Sequence, residues 1–171
     1  MCAPVIILYI QEIQNMTEAL KNYINSTCER KKYVCYTDGS CNNLSQNREG
    51  GAAYLILLDG KEIVRRSRAL ANTTNNRAEM LAIISAVNFC PIGADIEIRT
   101  DSQYAIISFL RRKKIASNTK NADLIRLYRK VATSKHISFE WVKGHNGDTF
   151  NEIVDSMANG EYQRIKELLK V

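Results

Sequence analysis

The stretch "KKYVCYTDGS", residues 31–40, decides how this chain is read. It has the β-branched and aromatic character of a strand, and its apolar part closes on Asp38 and Gly39. Asp-Gly is a common turn signal, so Asp38 can be read as a turn former and nothing more. A carboxylate gains nothing from burial, however, and an acid at the close of a central strand needs a reason. The rest of the chain has to supply it.

Working outward, "GAAYLILL" (51–58) and "KEIVRRSRAL" (61–70) read as two further strands, joined at Asp59-Gly60 in an antiparallel hairpin. A helix follows from about Asn76 to Phe89. Ala78, Leu81, Ala82, Ser85, Ala86 and Phe89 form one stripe, and Met80, Ile83, Ile84 and Val87 fill much of the other side. A helix apolar nearly all round is expected to lie buried between other elements. Asn76 with Glu79 resembles a capping pair, and Pro91 and Gly93 end the helix. "ADIEIRT" (94–100) alternates as a strand, "SQYAIISFLRRK" (102–113) reads as a helix, and another helix covers about 121–133. "HISFEWV" (136–142) is a strand, and a last helix runs from about Asn151 toward Leu169. The order β-β-β-α-β-α-α-β-α implies an α/β protein with a mixed five-stranded sheet flanked by helices. Ahead of it, residues 1–30 read as a separate extension. In it Ile13, Met16, Leu20, Tyr23 and Ile24 follow a helical stripe suited to packing in cis.

The 171 residues, 45% hydrophobic and 25% charged, fit one domain with a moderate extension. A net charge of +6 favours polyanionic partners without specifying one. Five cysteines (Cys2, Cys28, Cys35, Cys41 and Cys90) contain no C-x-x-C, and with two histidines they argue against a zinc site and a disulfide framework. Reduced thiols in a cytoplasmic or nuclear compartment are the expectation. No stretch approaches the ~20 apolar residues of a membrane helix, and "VIILYI" (5–10) lacks the flanks of a signal peptide.

Four acids then attract notice. Asp101, in "RTDSQYA", again follows a strand directly, and parallel neighbours would bring Asp38 and Asp101 to the same sheet edge. Glu79 lies in the first turn of the buried helix and Asp155 in the first turns of the last one. Taken singly, Asp101 and Glu79 are read as acids complementing a helix dipole and Asp155 as an exposed helical residue. Taken together, four converging carboxylates repel unless a cation neutralises them, and an all-oxygen ligand set suits Mg²⁺ or Mn²⁺.

The blocks "YTDGSC" (36–41), "TTNNRAEM" (73–80), "RTDSQYA" (99–105), "WVKGHNGD" (141–148) and "NEIVDSMA" (151–158) stand in this order over roughly residues 31–160. In them the chain resembles type 1 ribonuclease H, the family that cuts the RNA strand of RNA–DNA hybrids. The resemblance implies a ribonuclease H-like fold, a catalytic domain at 31–160, an extension at 1–30, and a last helix ending within 161–171. It implies an endonuclease hydrolysing the RNA strand by two-metal-ion catalysis, leaving 5′-phosphate and 3′-hydroxyl ends. One ion would activate water and the other stabilise the leaving 3′-oxygen, with Mg²⁺ as the metal and Mn²⁺ as a substitute.

By position, Asp38, Glu79, Asp101 and Asp155 match the family's metal-binding tetrad, and His145 matches a histidine associated with product departure. Asn75, Asn76 and Gln103 match minor-groove readers, and Thr74 matches a contact to a DNA phosphate. Ser40 and Cys41 fall where backbone groups approach the RNA. The turn "NNLSQNREGG" departs from the family's usual Pro- and Gly-rich form and leaves Asn42 and Asn43 as alternatives, Asn43 being the residue assigned. The stretch between Asp101 and His145 is too short for the long basic handle of some bacterial members, and "RRKK" (111–114) is its expected partial substitute. The implied partner is an RNA–DNA hybrid, with no membrane and a monomeric protein. Three other classes share parts of the pattern. An integrase or junction resolvase should lack the Asn75, Asn76 and Gln103 readers and the "WVKGH" block. A non-catalytic hybrid-binding module should have lost a metal ligand, and the initial methionine argues against a domain cut from a reverse transcriptase.

Overall fold

The computed structural model describes residues 31–111, 114–116 and 118–169. The helical reading of residues 1–30, Cys2 and Cys28, and Arg112 and Lys113 within the basic stretch lie outside them. Among the described residues, five strands and four helices follow in chain order: β1 (Lys32–Cys41), β2 (Gly50–Leu58), β3 (Lys61–Leu70), α1 (Asn75–Phe89), β4 (Asp95–Thr100), α2 (Gln103–Leu110), α3 (Ala122–Val131), β5 (His136–Trp141) and α4 (Thr149–Leu168). The strands form one mixed sheet in the order β3-β2-β1-β4-β5. β2 pairs antiparallel with β1 and β3, whereas β1/β4 and β4/β5 are parallel. The β2–β3 turn places Asp59 at φ 50° and Gly60 at φ 77°, the left-handed pair that a two-residue hairpin demands.

Pleat alternation sorts the core. Tyr33 and Cys35 on β1 and Tyr54 and Ile56 on β2 pack with Met80, Ile83 and Val87 of α1. On that face Phe109 of α2 stacks on Tyr128 of α3 with ring centroids 4.0 Å apart. Tyr36, Ala53, Leu55 and Leu57 point the other way and are covered by Val154 and Ala158 of α4. Sandwiched between α1 and α4, β2 needs no polar face, and its continuous apolar run is buried as far as Leu57.

Several local expectations are corrected. The first strand does not turn at Asp38-Gly39: β1 continues to Cys41, with Asp38 opposite Ala53 and Cys41 opposite Gly50. The cap of α1 is Thr74, whose hydroxyl accepts from Arg77 N–H at 3.3 Å, so Asn76 is helical and Glu79 falls beyond the first turn. Phe89, the last residue of α1, is 40% exposed, with the Arg66 guanidinium 5.9 Å from its ring centroid. The second helix stops at Leu110, with Arg111 as its extended C-cap. The last begins at Thr149, because the Asp148 carboxylate caps it by accepting from the Phe150 and Asn151 amides. Among the described residues no helix is long and apolar enough to cross a membrane.

Candidate active site

Strand register brings the first two acids together. The parallel β1/β4 ladder runs from Lys32↔Asp95 to Tyr36↔Arg99, and its offset carried two residues further sets Asp38 level with Asp101. There β1 keeps pairing with β2 while β4 ends at Thr100, so the crevice opens where the parallel neighbours part. Gly39 brings in the third acid. A Cβ on Gly39 would lie 2.2 Å from the Glu79 nitrogen, so only glycine lets α1 rest its backbone on β1 here. The Gly39 backbone lies close to the carboxylates of both Asp38 and Glu79 and favours their charged forms, against the larger effect of burial. One oxygen from each of Asp38, Glu79 and Asp101 falls within 4.8 Å of the others.

The loop after β5 closes the crevice from the far side. The Trp141 indole N–H donates to the Asp101 carbonyl at 3.0 Å, and the Val142 amide donates to the Thr100 carbonyl at 3.1 Å. Gly144 follows, where a Cβ would come within 2.7 Å of Asp101 Oδ2. His145 takes a left-handed φ of 53° and is largely exposed, its Nδ1 3.9 Å from oxygens of both Asp155 and Glu152 on α4. Those three residues form a second group whose ligand atoms lie within 4.8 Å of one another.

Asp38 and Glu79 are buried, and Asp101 is half-buried. Burial, then the charges of Asp101 and Asp155, push the Asp38 carboxyl up from 3.8 to about 7. Burial and the neighbouring Asp38 and Asp101 hold Glu79 well above the usual carboxylate range. Asp101 is raised by burial and then by Asp155. Glu79 Oε2 is buried and has no hydrogen-bond partner among the described residues. A buried carboxylate oxygen without a donor, facing two more carboxylates, is a costly arrangement that a hard cation would relieve. The donors are all oxygen, the chemistry of a divalent ion such as Mg²⁺, Mn²⁺ or Ca²⁺, so the residues fit the group.

The other residues expected at the site lie on or beside the elements that carry the acids. Ser40 and Cys41 end β1, Thr74, Asn75 and Asn76 open α1, and Gln103 opens α2, exposed two residues after Asp101. Asn43 Oδ1 accepts from the Asn75 amide at 3.2 Å, which ties the loop after β1 to the start of α1. Asn42 instead accepts from Leu44 N–H within its own turn. The basic stretch contributes Arg111 and Lys114, both exposed.

Three neighbours were not singled out by sequence reasoning. Glu152 precedes Asp155 by three residues on α4 and shares its face, a spacing visible in the sequence. Asn159, one turn after Asp155, donates from Nδ2 to Asp155 Oδ1 at 2.9 Å and accepts from the Ser40 hydroxyl at 2.6 Å. Arg77 forms a two-pronged ion pair with Asp123 and reaches Asn121 Oδ1 at 3.2 Å, extending the rim beside Thr74 to α3.

Comparison with known proteins points to one family. The family model for RNase H matches residues 30–163. A Campylobacter jejuni ribonuclease H is 40% identical over 134 residues, covering 75% of this chain and 89% of that protein. The Neorickettsia sennetsu ribonuclease H is 36% identical over 143 residues, covering 77% of this chain and 93% of its own. The Orientia tsutsugamushi ribonuclease H is 32% identical over 158 residues, covering 86% and 92%. Among solved structures, LC9-RNase H1, a type 1 RNase H with the type 2 active-site motif, superposes with a TM-score of 0.65 at 22% identity. That match covers 78% of this chain and 73% of the other, and it supports the fold. The matched span contains all four acids and every residue expected to meet substrate, and the chain belongs to the ribonuclease H family, the endoribonucleases that act on RNA–DNA hybrids.

Proposed function

We propose that this chain hydrolyses the RNA strand of RNA–DNA hybrids with two divalent ions, Mg²⁺ or in substitution Mn²⁺, leaving 5′-phosphate and 3′-hydroxyl ends. The observation that carries the reading is the convergence of Asp38, Glu79 and Asp101, the first two buried, together with the unpartnered Glu79 Oε2. When bound, the ions supply activation of the attacking water and neutralisation of charge on the leaving 3′-oxygen. Asp38, Glu79, Asp101 and Asp155 are the residues to hold them. The first three sit on a strand, a buried helix and a strand end, rigid supports for in-line geometry.

The chain's own groups do the rest. Asn75 and Asn76 at the start of α1 and Gln103 at the start of α2 carry amides suited to base edges and 2′-hydroxyls in the shallow minor groove of an A-like hybrid. Ser40, Cys41 and Asn43 offer donors and acceptors to the RNA strand, and Thr74 at the N-terminus of α1 suits a DNA phosphate. His145, exposed beside Asp155, is placed to meet the departing product.

Residues 31–160 act as the catalytic domain, residues 161–171 finish the last helix, and residues 1–30 are an extension that the chemistry does not require. The protein works as a monomer, and the free thiols of Cys35, Cys41 and Cys90 suit a reducing cytoplasmic or nuclear setting. The test is end analysis of the products. Cleavage of a hybrid should yield RNA fragments that carry a 5′-phosphate and that a polymerase extends from the 3′ end, and Asp101→Asn should abolish them. Fragments ending in 2′,3′-cyclic phosphate would overturn the mechanism.

A further inference from the structure

Of the four acids, Asp155 is the one that the sheet edge does not hold. Asp38, Glu79 and Asp101 are fixed by register and by Gly39, whereas Asp155 projects from α4 and groups with His145 and Glu152 instead of with the trio. Its side chain keeps 29% of its surface open. Two features link it to the strand that carries Asp38. A Cβ on Gly51 would fall 2.0 Å from the Ala158 carbonyl, so glycine at this position lets the α4 backbone lie against β2. Gly51 is paired with Ser40, so the same close approach brings Asn159 within reach of the Ser40 hydroxyl. Ser40 Oγ donates to Asn159 Oδ1 at 2.6 Å, and Asn159 Nδ2 donates to Asp155 Oδ1 at 2.9 Å.

We infer that Asn159 is a positioning residue for Asp155 and that Ser40 sets its orientation, so that the end of β1 holds the fourth acid in register with the other three. The inference rests on the reading of Asp155 as a metal ligand. The chemistry of the amide gives the relay its direction. The Ser40 hydroxyl occupies the acceptor end of the Asn159 amide, and this turns the donor end toward the carboxylate. A flipped amide would set a carbonyl oxygen against a carboxylate. With Oδ1 of Asp155 engaged, Oδ2 faces His145 across 3.9 Å. Ser40 also lies among the residues proposed to meet the RNA strand, so arrival of that strand and alignment of Asp155 act on one hydroxyl.

The relay is tested by calorimetric titration of Mg²⁺ into the full chain without nucleic acid, alongside steady-state cleavage of hybrid. Asn159→Ala should weaken Mg²⁺ binding by about tenfold, the low end of the effect of losing an outer partner of a ligand, and should lower kcat with KM changed less than twofold. Ser40→Ala should reproduce much of the loss of affinity, Ser40→Thr should restore it, and the double variant should be no worse than Asn159→Ala alone. Asp155→Asn is the control. If it loses metal affinity while Asn159→Ala binds as tightly as wild type, or if the two alanine effects add, the relay is overturned. If Asp155→Asn itself binds metal as wild type does, the ligand reading of Asp155 fails and the relay fails with it.

Discussion

Replacing Asp38 by asparagine should stabilise the metal-free protein, and the gain should depend on pH. Asp38 is buried beside Asp101 and Asp155, and its carboxyl is pushed up from 3.8 to about 7. A carboxyl with a folded value above its unfolded one keeps its proton longer in the native state. Between about pH 4 and pH 7 the native protein therefore binds more protons than the unfolded chain, and stability falls as pH rises through that window. A rise of ~3 pH units at ~1.36 kcal/mol each sets a ceiling of about 4 kcal/mol against the folded state at pH 8. The amide that replaces the carboxylate is itself buried and recovers part of this, roughly 2–3 kcal/mol, or on the order of 5–10 °C in Tm for a domain of this size. Thermal melts in a chelator from pH 4 to pH 8 should show Asp38→Asn matching wild type at pH 4 and exceeding it at pH 8. Saturating Mg²⁺ should narrow the gap, because binding stabilises the wild-type site. Equal melting temperatures at pH 8 without metal, or a gain of the same size at pH 4, would refute the electrostatic explanation.

Gly39→Ala should cost at least ~2 kcal/mol in a denaturant titration and most of the activity, because the new methyl meets helix backbone and no flexible side chain. His145→Ala should slow multiple-turnover cleavage by about 10–100-fold and single-turnover cleavage less, an auxiliary effect below loss of an aspartate; equal losses in both would place His145 in the chemical step. Neutralising residues 111–114 should weaken hybrid binding across sequences and reduce the salt slope by about 0.9 for each phosphate that is no longer neutralised. An unchanged slope would mean that the stretch neutralises no phosphate.

Much of the site was legible because its parts sit at element ends that leave strong signals. The alternation in "ADIEIRT" located β4 and hence Asp101, and "DG" at 59–60 fixed the antiparallel hairpin. The reading of Asp38 was right about the sheet edge and wrong about the turn. Asp38-Gly39 lies inside β1, and glycine is required there by the approach of α1, a tertiary cause that local turn chemistry does not reveal. The cap of α1 was misplaced because in "TTNNR" every residue before Arg77 can cap, and local propensity does not choose Thr74 over its neighbours. Asn159 went unseen because its meaning depends on Gly51 seating α4 against β2, beside the strand that bears Ser40, far away in sequence.

Everything proposed for the buried acids depends on their cutting RNA when it is paired with DNA, and doing so only with a divalent ion. The direct test is to incubate the protein with end-labelled RNA–DNA hybrid, RNA duplex and DNA duplex, each in Mg²⁺, in Mn²⁺ and in chelator, with Asp38→Asn in parallel. The RNA strand of the hybrid should be cleaved in either metal and left intact in chelator. Neither homoduplex should be cut in Mg²⁺, and Asp38→Asn should be nearly inactive. Cleavage of the hybrid in chelator, or at wild-type rate by Asp38→Asn, would contradict the assignment.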